Sequence, residues 1–198
     1  MNINFSKIRN TLFGGSLKQT QVDGINSILA SINKHGISKT QSAYVFATTY
    51  HETARTMQPI EEYGKGSGRP YGTWYKNSRG ELYSWTNGKK DKAYLHKDFP
   101  HLYYGRSYLQ ITWYDNYLKA GKLLNSDFLR NPDQVMDLKY ASEILVVGMM
   151  DGWFTGKKLS DYINYTNKDY YNARKIINGL DKATLVSDYA KLFEDALF

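Results

Sequence analysis

The chain has 198 residues, 41% of them hydrophobic and 15% aromatic, with a net charge of +7 and no cysteine. That length suits one domain, or one domain with two lobes, with enough apolar residues for a sizeable core and no dependence on disulfides. The longest apolar run, Ile144 to Met150, is far too short to span a bilayer, and no nucleic-acid-binding motif orders the basic and aromatic residues.

The first helix is predicted over 20–34. Val22, Ile25, Ile28, Leu29 and Ile32 recur at helical spacing, Thr20 with Asp23 gives a capping pattern, and Gly36 ends the run. A second helix starts at Ser38, whose capping box is completed by Gln41. It carries Tyr44, Val45, Thr48, Thr49 and Glu52 on one side, with Glu52 placed mid-way along it, and Pro59 closes the segment. From 64 to 103 the composition changes. Glycines cluster at 64, 66, 68 and 72, and the runs 73–76 and 81–85 flank the turn 77–80 as a β-hairpin. Helical patterns return at Gln110–Leu124, Pro132–Met150, Leu159–Ile163 and Asp169–Ile177. A last helix, Lys182–Leu197, is expected to bury Leu185, Val186, Tyr189, Leu192, Phe193 and Ala196. These elements predict a mainly α, single catalytic domain over 1–198. Its helical body is 1–63 and 104–198, and the small irregular, β-hairpin lobe of 64–103 is inserted into it. No repeat, linker or low-complexity tail marks a separate wall-binding module, and a monomer is expected.

The charge favours an anionic partner such as a cell wall, with the densest basic cluster at Lys89, Lys90 and Lys92. The 18 tyrosines supply surfaces that are both apolar and hydrogen bonding, as sugar rings require. The N-terminus, Met1-Asn2-Ile3-Asn4-Phe5, has no signal-peptide pattern. The expected product is therefore made in the cytoplasm and acts on a wall only after release across the membrane.

Two segments carry chemistry. The first holds His51-Glu52. Among apolar and weakly polar neighbours the Glu52 carboxyl is expected to ionise reluctantly, as a general acid must. A helical zinc site would need a histidine at position 55, which is Arg55, and His35, His96 and His101 lack ligand spacing. No metal or organic cofactor is implied. The second segment, 103–113, offers a glycine turn, a cation, an amide, a hydroxyl and an indole. A glycosidase pair needs a second carboxylate. Glu61 and Glu62 are adjacent candidates, and the residues alone leave both open.

Six stretches in consistent order resemble a known family. They are His51-Glu52-Thr53; Met57-Gln58-Pro59-Ile60-Glu61-Glu62-Tyr63-Gly64; Tyr104-Gly105-Arg106 with Gln110-Ile111-Thr112-Trp113; Asn116-Tyr117; Gly152-Trp153-Phe154-Thr155-Gly156; and Arg174 with Ile177-Asn178-Gly179. From about residue 40 to 180 the chain resembles the chitinase-like family 19 glycoside hydrolases, in their phage endolysin branch. The resemblance implies a lysozyme-like fold and inverting hydrolysis of β-1,4 amino-sugar bonds, with peptidoglycan strands as substrate. The Met-Gln-Pro-Ile register lands the water-activating base on Glu62, with Glu61 as second choice. By the same resemblance Thr112 holds the attacking water, and Gln110, Asn116 and Tyr117 contact sugar. Arg174 pairs with the second carboxylate, and Asn178 reaches an acetamido group. Trp153 to Gly156 reads as a packing corner. The rival readings are a chitinase acting on N-acetylglucosamine polymers and a non-catalytic glycan-binding relative.

Overall fold

A computed structural model describes residues 1–66, 71, 75–76, 82–83 and 101–198. Among them run α1 (Phe5–Thr11), α2 (Gln19–His35), α3 (Lys39–Glu52), the strands β1 (Tyr75–Lys76) and β2 (Leu82–Tyr83), α4 (Tyr114–Leu124), α5 (Leu138–Asp151), α6 (Leu159–Tyr162) and α7 (Ala183–Ala196). Two 3₁₀ helices span Pro132–Met136 and Asn172–Ile176. The architecture is mainly α, as expected. None of the described helices is long and apolar enough to cross a membrane. Contacts divide the chain into two compact units, Met1–Gln58 with Ala141–Phe198, and Pro59–Tyr140. The second unit thus takes in 104–140 beyond the 64–103 lobe read from composition.

The first unit is built around α3. Ser38 caps it as expected: its Oγ accepts from the Gln41 N–H at 3.2 Å, and Gln41 Oε1 accepts from the Ser38 N–H at 3.3 Å. The helix is buried on every face from Ser42 to Tyr50, rather than on one side. Its aromatic residues meet α7. Phe46 stacks on Phe193 at 5.5 Å, and Tyr50 sits edge-on to Tyr189 at 4.8 Å and to Phe193 at 5.9 Å. On α7, Val186, Phe193 and Ala196 are buried as predicted, whereas Leu185 is exposed. The N-cap of α2 lies two residues earlier than the sequence suggested. Gln21, not Asp23, closes it, by accepting from the Lys18 N–H at 2.8 Å. Gly36 ends α2 in the left-handed conformation. The chain termini pair with each other, through Asn2 N–H to Phe198 O at 2.7 Å and the reverse bond at 3.0 Å. That pairing fixes α1, which no hydrophobic period announced.

α5 is buried almost all round from Ala141 to Met149, including one acid. Glu143 accepts from Lys34 Nζ at 2.8 Å and lies 2.9 Å from His35 Nε2. Burial pushes the Glu143 carboxyl up, but the bonds from Lys34 and His35 outweigh it and hold it below its ordinary 4.5. A depressed folded-state pKa means stability that is present above the ordinary value and lost as pH falls through the folded one. Charged hydrogen bonds contribute about 1.5–3 kcal/mol, less here because Lys34 is 63% exposed. Glu143→Gln is therefore expected to lower unfolding stability at pH 7 by about 1–2 kcal/mol and to flatten the loss between pH 7 and pH 3. Urea unfolding at both pH values checks this, and an identical acid loss in wild type and variant would contradict it.

In the second unit β1 and β2 pair antiparallel as the expected hairpin, with Tyr75 opposite Tyr83 and Lys76 opposite Leu82, one residue beyond the Glu81 that a turn of 77–80 would place there. The rest of that lobe, with the lysine cluster at 89–92, lies outside the described residues. The core is aromatic: Tyr103, Tyr108, Tyr117 and Phe128 are fully buried. Tyr103 packs on Tyr117 at 5.2 Å and on Tyr114 at 5.6 Å, and donates to Leu129 O at 3.0 Å. Three helical predictions shift. Gln110–Trp113 is not helix, because Gln110 and Trp113 have φ of 54° and 74°, and α4 begins at Tyr114. Pro132–Met150 is split at Asp137 into the 3₁₀ helix and α5, and the helix expected at 169–177 shortens to the 3₁₀ turn Asn172–Ile176.

Candidate catalytic residues

Glu52 is the last residue of α3, not a mid-helix residue. Its surroundings also differ from the apolar face expected. The Arg174 guanidinium reaches it from the Asn172–Ile176 turn, with Nη1 donating to Oε1 at 2.5 Å. The Arg174 side chain is 3% exposed and that of Glu52 28%. The arginine is held from behind by its own Nε, which donates to Asp181 O at 2.9 Å. The sequence reading had paired Arg174 with the second carboxylate; it pairs with Glu52. The turn that carries Arg174 is anchored in turn by Thr155, whose hydroxyl lies 2.6 Å from Lys175 O and 2.9 Å from Ile176 O. The stretch 153–156 therefore acts as a packing corner that supports the site. Asn178, expected to reach substrate, is exposed, and its Oδ1 accepts from the Gly179 N–H at 2.9 Å.

The loop that leaves α3 is pinned to α2. Gln58 Nε2 donates to Thr20 O at 2.5 Å and Gln21 Nε2 to Arg55 O at 2.9 Å. Ala54, Arg55 and Met57 are all left-handed. Gly24 permits the approach, since a Cβ there would fall 1.8 Å from Met57 O.

In the second unit residues 60–62 run as a ladder beside 105–107, through Ile60 N–H to Ser107 O at 3.3 Å and Glu62 N–H to Gly105 O at 2.7 Å. The ladder sends Glu61 and Glu62 to different partners, as alternation along an extended segment requires. Glu61 forms an ion pair with Lys65 at 3.0 Å, accepts from the Tyr104 hydroxyl at 3.0 Å, and lies 3.9 Å from Arg106. The Lys65 bond leads in holding its carboxyl below the usual range. Glu62 accepts from the Gly105 N–H at 3.1 Å and from the Tyr71 hydroxyl at 3.2 Å, one donor on each oxygen. Neither donor was visible in the sequence. Tyr71 also sits edge-on to Trp113 at 5.0 Å.

Gln110 braces this ladder, with Nε2 donating to Ile60 O at 2.8 Å, and it fits because residue 105 is glycine: a Cβ there would meet Gln110 Oε1 at 2.5 Å. Thr112 is half-buried and donates to Gln110 O at 3.2 Å, and Asn116 donates to Thr112 O at 2.7 Å. Tyr117 departs most from its expected role. It is fully buried, its hydroxyl donating to Tyr104 O at 2.7 Å and accepting from Arg106 Nη1 at 3.0 Å. Burial pushes its phenol far up, and a buried phenol so occupied supports the core instead of meeting a sugar. Arg106 is likewise structural, stacked 3.5 Å over the Tyr104 ring and paired with Asp133 at 2.9 Å.

Nine described non-glycine residues have positive φ; three of them, Ala54, Arg55 and Met57, closely follow Glu52 in the chain of the first unit, and four, Lys65, Ser107, Gln110 and Trp113, lie near Glu62 and Thr112 in the chain of the second. Among the described residues, no three histidine, aspartate or glutamate side chains come together as metal ligands.

Three solved structures are similar in fold, each 18% identical in sequence. Chitinase C from Streptomyces griseus HUT6037 aligns over 98% of this chain and 76% of its own, with a TM-score of 0.63. A bacterial family 19 chitinase aligns over 96% and 94% with a TM-score of 0.53, and a class IV chitinase from Zea mays over 97% and 89% with 0.54. Comparison with curated protein sequences gives no match. The family model described as class I chitinase matches residues 25–155, well over half of the chain and inclusive of Glu52, both glutamates after Pro59, and Thr112. On that match the chain belongs to glycoside hydrolase family 19.

Proposed function

We propose that this glycoside hydrolase acts as an endolysin, cleaving β-1,4 bonds between amino sugars of bacterial peptidoglycan with inversion. The observation that carries the catalytic half is the Glu52–Arg174 pair. Arg174 orients the carboxyl at the end of the buried helix through Oε1, and because a guanidinium only donates, the proton for a glycosidic oxygen is carried on Oε2. Glu62 serves as the base that activates water. Among the described residues its two donors fix the carboxylate without placing a cation on it, whereas Glu61 is engaged by Lys65 and Tyr104. Thr112 steers that water, since a hydroxyl can both accept from it and donate to it. Gln110 and Asn116 shape the segment beside the base. No step calls for a metal or cofactor.

The choice of peptidoglycan rests on the net charge of +7 and on the short interval of ten residues between Glu52 and Glu62, which resembles the endolysin branch. A chitinase reading has its own support, because the similar solved structures are chitinases. Rates on purified peptidoglycan and on chitin oligomers, measured side by side, separate the two. Faster release of reducing ends from peptidoglycan is expected, and efficient cleavage of chitin oligomers with an untouched wall would favour the chitinase.

A further inference from the structure

Beneath Glu52 lies a feature that the proposed acid–base chemistry does not use. Tyr44, Thr48 and Glu52 follow one another at steps of four along α3, so they share one helix face, and helical side chains lean back toward the N-terminus. Tyr44 and Thr48 are both fully buried. Neither the Tyr44 hydroxyl nor the Thr48 hydroxyl makes a hydrogen bond of good geometry among the described residues, although the two lie close enough to act on one another. Native proteins rarely leave such groups unmatched, and an unmatched one calls for an explanation.

Neighbouring threonines show that this was avoidable. Thr49 and Thr53 stand on the same helix, are equally buried, and satisfy their hydroxyls by donating to the carbonyls of Val45 at 2.9 Å and Thr49 at 2.7 Å. Thr48 makes no such bond to the carbonyl four residues back. Its hydroxyl is left available on the face that leads to Glu52. Arg174 hydrogen-bonds to neither hydroxyl, but its charge acts on the Tyr44 phenol. It is 2% exposed, and its bonds to Glu52 and Asp181 use two of its five N–H donors. The Tyr44 phenol feels this pair: burial pushes its pKa far up, the Thr48 hydroxyl and the Arg174 charge pull it back, and the Glu52 charge raises it again. The Tyr44 ring itself is fixed by stacking on Tyr170 at 5.9 Å, a contact that needs no hydroxyl.

We propose that Tyr44 and Thr48 are positioning residues for the general acid, their buried hydroxyls steadying the Arg174–Glu52 pair from the interior side of α3. The inference rests on Glu52 being that acid. Among the described residues Arg174 contacts Glu52, and His51 and Arg55 lie near it in the chain.

Tyr44→Phe and Thr48→Val each delete a hydroxyl at nearly constant volume, and Thr48→Ser restores one. Each deletion is expected to lower kcat roughly tenfold, the scale of a slightly misplaced catalytic group, with KM little changed. The pH–rate limb set by the acid should shift, and the melting temperature should stay near wild type. Thr48→Ser should recover most of the rate. Wild-type kcat and pH profile in both folded deletion variants would overturn the inference. So would a rate loss with an unchanged profile and no rescue by serine, which marks a purely structural role. Glu52→Gln, assayed alongside, keeps the two claims apart. An active Glu52→Gln defeats the acid assignment itself, whereas an inactive one beside unaffected hydroxyl variants defeats only this inference.

Discussion

Replacing Glu52 with glutamine should slow wall lysis by about 10²- to 10⁴-fold while the protein stays folded, the usual cost of losing general acid catalysis. Glutamine is the informative choice because of Arg174. Its amide oxygen can still accept from Arg174 Nη1, so the buried guanidinium keeps a partner. Alanine would leave that charge unpaired at 2% exposure, a defect of about 3–5 kcal/mol that would confuse misfolding with lost chemistry. Circular dichroism and a turbidity assay on the same preparation make the comparison. A folded Glu52→Gln protein that clears walls at more than about a tenth of the wild-type rate, well short of the smallest loss expected for a general acid, would show that the proton comes from elsewhere.

The second large effect should separate two adjacent residues. Glu62→Gln should lose most of its activity, again by about 10²-fold or more, while Glu61→Gln should lose far less. The structure gives this contrast a physical basis. Glu62 is oriented by a backbone N–H and the Tyr71 phenol, and a glutamine there cannot take a proton from water. Glu61 instead receives the part-buried Tyr104 hydroxyl and neutralises Lys65, an exposed ion pair that contributes little to stability. Both single variants belong in one assay. A dead Glu61→Gln beside an active Glu62→Gln would reverse the assignment.

How much of this was legible in the sequence depended on whether the cause was local. α2 and α3 were readable because apolar residues coincided with cap residues, as at Ser38 with Gln41 and at Gly36, and α7 from its apolar spacing alone. The hairpin itself was legible from two strand-like runs around a polar turn, but its register, with Lys76 opposite Leu82, is one residue beyond the one that a turn of 77–80 implies. Errors arose where a distant contact decided the outcome. Arg174 arrives at Glu52 from 122 residues away, and helical periodicity sees only neighbours three and four apart. Tyr117 was read as a sugar contact because an exposed and an inward tyrosine look alike in sequence. Its burial depends on Arg106 and on the Tyr104 carbonyl folding over it. The helix drawn through Gln110–Trp113 failed on two left-handed residues, a conformation that neither side chain advertises. The paired glutamates could be ordered by motif register, but the donors that distinguish them come from Tyr71 and Gly105.

The most direct test of an acid and a base acting on opposite sides of the bond is the configuration of the new reducing end. A base that activates water leaves room for that water, with carboxyl groups about 6.5–9.5 Å apart, and inverts the anomeric carbon; a nucleophilic carboxylate stands about 5–5.5 Å away and retains it. Proton NMR of a fresh digest of a soluble peptidoglycan oligosaccharide, read before mutarotation, distinguishes them. Glu52 as acid and Glu62 as base predict that the α-anomer appears first from a β-1,4 linkage, and initial release of the β-anomer would contradict that assignment.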